Sequence, residues 1–288
     1  MTNFLQTTFN GILTSGVYIA VTLGLALVFG IMRIINFAHG ELVMIGAYIT
    51  YWMFTLFGVN PYISLILDAG IVFLIGVLMH KLAIEKILDA PSIDQVLLTF
   101  GFSVLFQNIA LILWTANPLA LSRETASVKI GNIQFGKDRL VVFIIGVAIA
   151  LILNFILSKT KIGKTLNAVS QNRTASYLVG INVPLFYTIA FGVSAALAGI
   201  AGGLISTVMY TSPYVGARLG LRAFAILTLA GLGNINMTLI ASLILGLSES
   251  YISVYVPQGP GWAEGVSFLI ILIVLAVRPS GLKGMRAE

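Results

Sequence analysis

Long apolar runs separated by short polar stretches make up most of this chain. A membrane-spanning helix needs roughly 20 apolar residues, whereas the strands of a membrane β-barrel are short and alternate. The runs therefore predict an all-α polytopic membrane protein with about nine spanning helices, within a range of about eight to ten, some of them broken or re-entrant. The predicted spans are residues 9–30, 42–57, 62–79, 96–114, 140–157, 184–209, 223–230, 237–255 and 262–277.

Two of these runs, residues 42–57 and 223–230, are short for a complete span. The first follows the polar stretch 36–41, and the second precedes the break at 231–234. Transporters built from repeats often carry a broken helix in each half, with the break next to the transport path. The pattern leaves open whether these two segments cross the membrane or re-enter it.

Residues 160–182 are the one long polar interruption in the second half of the chain, and Gly180 is a plausible helix stop. Apolar residues recur there at three- and four-residue spacing, which predicts an amphipathic helix. They are Ile162, Leu166, Val169, Tyr177, Leu178 and Ile181. Such a helix between two spans can dock into the groove of a partner protein, or it can be a basic connector resting on lipid headgroups.

The charges of this segment predict the orientation of the chain. Lys159, Lys161, Lys164 and Arg173 make it basic, and short basic loops stay on the cytoplasmic side of a membrane. With about nine spans, this places the N-terminus outside and the C-terminus in the cytoplasm. The other basic loops then also fall on the cytoplasmic side.

Polar residues within or beside the apolar runs are candidates for the transport path. Asn36, His39 and Glu41 form a polar cluster between the first two spans, where they either mark a path or connect two helices at the membrane surface. Gln107 and Asn108 lie inside the fourth span, where interhelical hydrogen bonding competes with contact to cargo. Another candidate for the path is Asn234, at the break in residues 231–234.

The composition supports a membrane protein and gives no sign of nucleic-acid binding, a metal site or a catalytic site. The chain has 58% hydrophobic and 9% charged residues, no cysteine and a net charge of +6, whereas soluble domains have about a quarter charged residues. The orientation bias accounts for the excess of basic residues, so nucleic-acid binding is not expected. Neither a spaced zinc motif nor a serine hydrolase motif occurs, so we expect no metal site and no catalytic residues.

One near-match to a nucleotide site fails. Gly163-Lys164-Thr165 resembles the end of a phosphate-binding loop, but Ser158 replaces the leading glycine and no strand precedes it. If ATP drives transport, a partner chain binds and hydrolyses it, and this chain is not an enzyme.

Several motifs resemble the LivH-type permease subunits of the branched-chain amino-acid ABC importers. The most specific one joins Gly30 to the stretch 36–41 and to Gly46-Ala47-Tyr48. Residues 163–181 resemble the coupling loop of the family, and residues 223–233 give a third match. Some positions depart from the family pattern: Asn167 replaces a basic residue, Arg222 a lysine, Ala230 a glycine, and Asn236-Met237 a proline-containing pair.

The resemblance implies a single transmembrane permease domain over residues 1–288 in the bacterial cytoplasmic (inner) membrane. It implies a homologous, LivM-like second permease, two ATP-binding subunits of LivG and LivF type, and a soluble binding protein that delivers cargo. It also implies that residues 160–182 are the cytoplasmic coupling helix. The residues expected to couple to the ATPase are Gly163, Lys164, Leu166, Asn167, Gln171, Asn172, Arg173 and Gly180.

Residues 115–139 and residues 210–222 are expected outside the membrane, and residues 210–221 are expected to be polar and rich in turns. Their basic residues Arg123, Arg218 and Arg222 are candidates for docking acidic residues of the binding protein.

The leading functional hypothesis is therefore an ATP-driven importer of branched-chain or other neutral amino acids. Alternatives are a urea or short-amide permease of the same architecture, a self-sufficient channel or secondary carrier, and an intramembrane enzyme. Sparse intramembrane charge disfavours ion-coupled carriage, and the missing motifs disfavour an enzyme.

Overall fold

The computed structural model describes residues 2–123, 126–278 and 281–282. Its long helices are separated by short connections, with one small β-hairpin. The elements are α1 (Thr2–Met32), α2 (His39–Phe57), α3 (Pro61–Leu82), a 3-10 turn (Ile84–Ile87), α4 (Ser92–Trp114), β1 (Ser127–Ile130), β2 (Ile133–Gly136), α5 (Lys137–Lys159), α6 (Lys161–Gln171), α7 (Arg173–Leu178), α8 (Val183–Ser206), α9 (Val215–Ala230), α10 (Ile235–Tyr255) and α11 (Gly259–Val277).

The prediction of an all-α polytopic membrane protein is confirmed. In the described part of the chain, eight helices are long and apolar enough to cross a membrane, which lies within the expected range. Helices satisfy every backbone hydrogen bond within one segment, as a bilayer requires. The predicted span 223–230 corresponds to α9, which has only 16 residues and is too short to qualify.

α1 and α8 form the centre of the bundle, and α4 and α11 lie at its periphery. The apolar window of α1 is 83% buried, and that of α4 only 11%. Glycines let the helices of the centre approach closely. A Cβ on Gly202 of α8 would lie 1.9 Å from the carbonyl oxygen of Val43 in α2.

The two ends of the bundle are distinguished by what lies there. The β-hairpin pairs residues 127–130 with 133–136 and lies beside the start of α1, where Gln6 donates to the carbonyl of Gln134 over 2.8 Å. We call this the hairpin end. At the opposite end, α6 packs on the last turn of α5, and we call this the α6 end.

The connection between α1 and α2 turns back into the bundle. Arg33 has a positive φ of 56°, and residues 33–38 then run back alongside α1. The ring of His39 reaches the carbonyl of Val21, which lies about three turns, or roughly 16 Å, before the end of α1. His39 begins α2, and the other histidine, His80, lies in the last turn of α3.

α9 begins earlier than the apolar pattern predicts. Residues 210–221 were expected to be polar and rich in turns, but the helix starts at Val215. Its other end lies at the α6 end, where a Cβ on Gly233 would lie 2.7 Å from the Cα of Gly30, near the end of α1. The first turn of α9 lies inside the bundle beside the start of α2, where Gly216 packs against Gly40 and Glu41.

Candidate functional site

The first turns of α2 and α9 meet inside the bundle at a buried acid. Glu41 is fully buried, and its Oε1 accepts a hydrogen bond from Ser103 of α4 over 3.3 Å. Its other oxygen, Oε2, has no hydrogen-bond partner among the described residues and faces Gly216. Because the N-terminal end of a helix favours negative charge, both helix ends suit this acid. We call this contact the α2–α9 junction.

His39 ties the same junction to α1. Its Nε2 donates to the carbonyl of Val21 over 2.9 Å, since a carbonyl oxygen can only accept. Gly24 makes room for the ring, and Ser194 of α8 donates to the Gly24 carbonyl over 2.6 Å. Three helices therefore meet at one polar point within the bundle.

Side chains form hydrogen bonds with the backbone groups of the irregular stretch before α2. Asn36 is buried, and its Oδ1 accepts from the Ala38 amide over 3.1 Å. Thr99 of α4 donates to the carbonyl of Ile35 over 3.0 Å. Non-helical backbone is tolerated at membrane depth only where protein or water surrounds it. The structure thus brings together Asn36, His39 and Glu41.

The other three residues predicted for the path lie elsewhere. Asn108 is exposed on the peripheral helix α4 and donates to the Val104 carbonyl of its own helix over 2.7 Å. Gln107, next to it, is half-buried. Asn234 caps α10 at the α6 end, where Oδ1 accepts from the Met237 amide over 3.1 Å. It lines a polar pocket of about 280 Å³ together with Asn167.

The segment 160–182 is not a single helix. α6 ends at Gln171 and α7 begins at Arg173, because Asn172 adopts an extended conformation and caps α7 by accepting from the Ala175 amide over 2.9 Å. Asparagine is among the preferred N-cap residues, so the break follows from local chemistry. Gly180 follows α7 with φ of 81° and is exposed.

α6 is packed tightly on the end of α5. A Cβ on Gly163 would lie 2.2 Å from the carbonyl oxygen of Ile156, so only glycine fits there. Leu166 is buried, while Lys164 and Gln171 are exposed. Asn167 donates from Nδ2 to the Leu157 carbonyl over 3.0 Å, which caps α5.

α7 is tethered to the rest of the bundle by one cation. Arg173 forms an ion pair with Asp89 in the connection between α3 and α4. Its guanidinium also lies 6.0 Å from the ring of Tyr177 and 5.9 Å from that of Tyr187 in α8, within the range of a cation–π contact. A movement of α7 would therefore be transmitted to the α3–α4 connection and to α8.

The predicted apolar side of this segment divides in two. Leu166 and Val169 are buried against the bundle, whereas Leu178 is 84% and Val179 is 75% exposed. The expectation of one continuous apolar face is wrong, because the break at Asn172 turns α7 away. Exposed apolar side chains next to basic residues suit contact with another surface.

Comparison with known proteins identifies the family of this chain. Residues 7–275 match the family model described as branched-chain amino acid transport system / permease component. The chain belongs to this family. The match covers the α2–α9 junction and both helices of the α6–α7 segment of this permease.

Individual proteins that are similar to this chain have names that match the description of the family. The chain is 28% identical to the high-affinity branched-chain amino acid transport system permease protein LivH of Salmonella typhimurium, over 98% of this chain and 96% of the relative. It is 26% identical to the permease protein BraD of Pseudomonas aeruginosa, over 98% and 96%. It is 28% identical to a probable LivH of Methanocaldococcus jannaschii, over 95% and 90%. No solved structure matches the chain.

The arginines proposed for docking differ in their surroundings in the permease. Arg218 is exposed on α9. Arg123 forms an ion pair with Asp138 at the start of α5 and lies near the Tyr62 hydroxyl, 3.4 Å away. Burial lowers the pKa of Arg123, but the Tyr62 hydroxyl and Asp138 raise it more, so the net shift is upward.

Arg222 is not part of an outer polar segment, and that expectation of its position is wrong. It lies within α9, where it forms an ion pair with Glu249 of α10, 3.6 Å from Nε to Oε1. Tyr18 of α1 donates to the other oxygen of Glu249 and lies under the guanidinium at 5.8 Å. The pair links three helices of the permease.

Sequence reasoning missed a second fully buried acid. Asp68 of α3 is fully buried and accepts a hydrogen bond from Thr50 of α2 over 2.6 Å, and Thr50 also contacts Ser64 over 2.8 Å. Asp68 is the one acid within its apolar run, and an ionisable residue in a span is the signal that could have found it. Among the described residues, no three His, Asp or Glu side chains converge as a metal site would require.

Proposed function

We propose that this chain is the membrane permease subunit of an ABC importer for branched-chain or other neutral amino acids. It pairs with a second, homologous permease, and two ATP-binding subunits supply the energy. A soluble binding protein delivers the cargo. The observation that carries this proposal is the family match over residues 7–275, and the geometry of the α6–α7 segment supports the mechanism.

The α6 end is proposed to face the cytoplasm of a bacterial inner membrane. Lys159, Lys161, Lys164 and Arg173 all lie at this end, and basic residues near the ends of spans favour the cytoplasmic side. The N-terminus is then outside, because α1 starts at the hairpin end. Leu282 donates its amide to the Leu229 carbonyl over 2.9 Å, so Leu282 lies at the same end as the end of α9.

The α6–α7 segment is proposed to dock on an ATP-binding subunit. Its exposed apolar residues Leu178 and Val179 offer contact area, and Lys164 and Gln171 surround it with polar groups. A ligand or partner shifts a conformational equilibrium only through contacts that differ between two states. The close packing of α6 on α5 and the tether from Arg173 to Asp89 pass such a shift into the spans.

The α2–α9 junction is proposed to border the transport path. Discontinuous helices with their N-terminal ends inside the bilayer are the usual sites of cargo contact in transporters. α2 and α9 both begin inside the bundle here, with Glu41 between them. Ion pathways are lined by repeated charges, whereas this junction has a single acid. The junction therefore suits a neutral or zwitterionic cargo better than it suits a bare ion.

Uptake into vesicles tests this function. The chain is co-expressed with its genomic neighbours, and uptake of labelled leucine, alanine and urea is measured with and without ATP and the binding protein. Leucine or alanine uptake that needs both ATP and the binding protein is the expected result. Uptake by this chain alone without ATP refutes the proposal. If urea is the only compound taken up, the cargo is urea or a short amide and not an amino acid.

A further inference from the structure

A second pocket, of about 160 Å³, lies toward the hairpin end between α1, α5, the residues after α8, and α9. Its wall contains two arginines, Arg139 of α5 and Arg222 of α9, next to Tyr18. Other lining residues are mostly apolar, among them Leu13, Val17, Val208, Met209 and Leu219. Guanidinium groups bind carboxylates strongly, and an apolar wall takes an aliphatic body.

The two arginines differ in their ion-pair partners and in their exposure. Arg222 is held in place by Glu249 and by the ring of Tyr18. Arg139 is exposed, and no carboxylate lies within ion-pair distance of it among the described residues. Among the described residues, Arg139 therefore leaves a positive charge at the edge of the pocket that no carboxylate balances. An anionic group is attracted to this accessible cation.

The size of the pocket limits the ligand. A cavity of about 150 Å³ admits a molecule as large as benzene, so a pocket of about 160 Å³ has room for a branched aliphatic side chain. Leu13, Val17 and Leu219 supply the apolar contact. The combination fits a small aliphatic carboxylate better than a segment of polypeptide.

We infer that this pocket is a transit site in which Arg139 binds the α-carboxylate of an aliphatic amino acid while Leu13, Val17 and Leu219 contact its side chain. The inference rests on the proposed function, because it takes the imported amino acid as the ligand. On the proposed orientation, the pocket is where cargo from the binding protein first meets this permease.

Cysteine protection tests the inference directly, because the chain has no cysteine of its own. Met209→Cys places one thiol in the wall of the pocket, and Tyr210→Cys places a control thiol next to it that does not line the pocket. The complete transporter in lipid nanodiscs, without ATP or binding protein, is labelled with a maleimide. Leucine is expected to slow labelling at position 209 and not at 210, and leucinamide, which lacks the carboxylate, is expected to slow neither.

Charge variants complete the test. Arg139→Gln is expected to raise the leucine concentration that gives half-protection by about tenfold or more, the usual cost of a lost contact to a charged group. Lys137→Gln removes a neighbouring exposed cation that does not line the pocket and is expected to change nothing. Should Met209→Cys fail to assemble, Val208→Cys serves as the second reporter.

The outcomes separate this inference from the proposed function. ATP-dependent leucine uptake without leucine protection overturns the pocket and leaves the importer intact. Protection by the binding protein alone, without leucine, also overturns it, because the pocket is then a protein-docking site. Leucine protection without any ATP-dependent uptake supports the pocket and refutes the importer.

Discussion

The carboxyl group of Glu41 lies directly against the backbone of Gly216. A Cβ on Gly216 would come within 2.4 Å of Glu41 Oε2, so the acid occupies the space that any other residue would need. The first turns of α2 and α9 thus enclose one buried acid, and the contact exists only because position 216 is glycine.

Gly216→Ala should destabilise the permease by about 1–3 kcal/mol, the usual cost of overpacking. The added methyl group also meets the Gly40 carbonyl oxygen at 2.8 Å, so neither side can yield easily. The measurement is the thermal unfolding midpoint of the purified protein in detergent. Gly70→Ala is the matched control, because nothing lies within 4 Å of its Cβ position, and an equal midpoint for both variants would contradict the account.

The ion pair between Arg222 and Glu249 should be strongly non-additive. Both side chains are largely buried, with exposures of 17% and 11%, and removing one partner of a buried pair costs about 3–5 kcal/mol. Arg222→Gln and Glu249→Gln should each lower the free energy of unfolding. The double variant should lose less than the sum of the two, and purely additive losses would show that the pair is not coupled.

The ion pair between Arg173 and Asp89 should behave differently, because Asp89 is 84% exposed. Exposed pairs contribute about 1 kcal/mol or less, so Arg173→Gln should leave the unfolding midpoint almost unchanged. The same variant should lower the amount of leucine transported per ATP hydrolysed, because α7 loses its tether. A ratio equal to that of the wild-type complex would show that the tether does not couple.

Leu178→Glu should weaken the binding of the ATP-binding subunits without unfolding the permease. The side chain is 84% exposed, so the fold does not need it, and a charge there opposes burial in an interface. Co-purification of the subunits with tagged permease measures the effect. Ile130→Glu at the hairpin end is the control, since that residue is also exposed, at 62%. Equal recovery of the subunits with both variants would exclude α7 from the docking surface.

Hydropathy alone predicted most of the fold. The predicted span 62–79 corresponds to Pro61–Leu82, and 96–114 to Ser92–Trp114. The reason is physical, because a bilayer leaves the chain few alternatives to long apolar helices. α9 was the exception, since its first turns contain Arg218 and Arg222 and were interpreted as a loop.

The depth of the polar cluster could not be predicted from local sequence. Arg33, Asn36 and His39 have the composition of a surface loop, but contacts with α1, α4 and α8 bury the last two. The ion pair of Arg222 with Glu249 depends in the same way on two helices that meet only in the folded bundle. By contrast, the break at Asn172 had a local signal, because asparagine is a preferred N-cap.

We propose that α6 transmits the action of the ATP-binding subunits to the spans, and a substitution at Gly163 tests this role. Gly163→Ala places a methyl group 2.2 Å from the Ile156 carbonyl and should move α6 off the end of α5. The measurement is the ratio of leucine imported to ATP hydrolysed by the reconstituted transporter, with Gly101→Ala, which has open space, as the control. The Gly163→Ala transporter is expected to continue to hydrolyse ATP, with a ratio far below that of the wild-type complex and of the control. A wild-type ratio in Gly163→Ala would show that the packing of α6 on α5 does not carry the coupling.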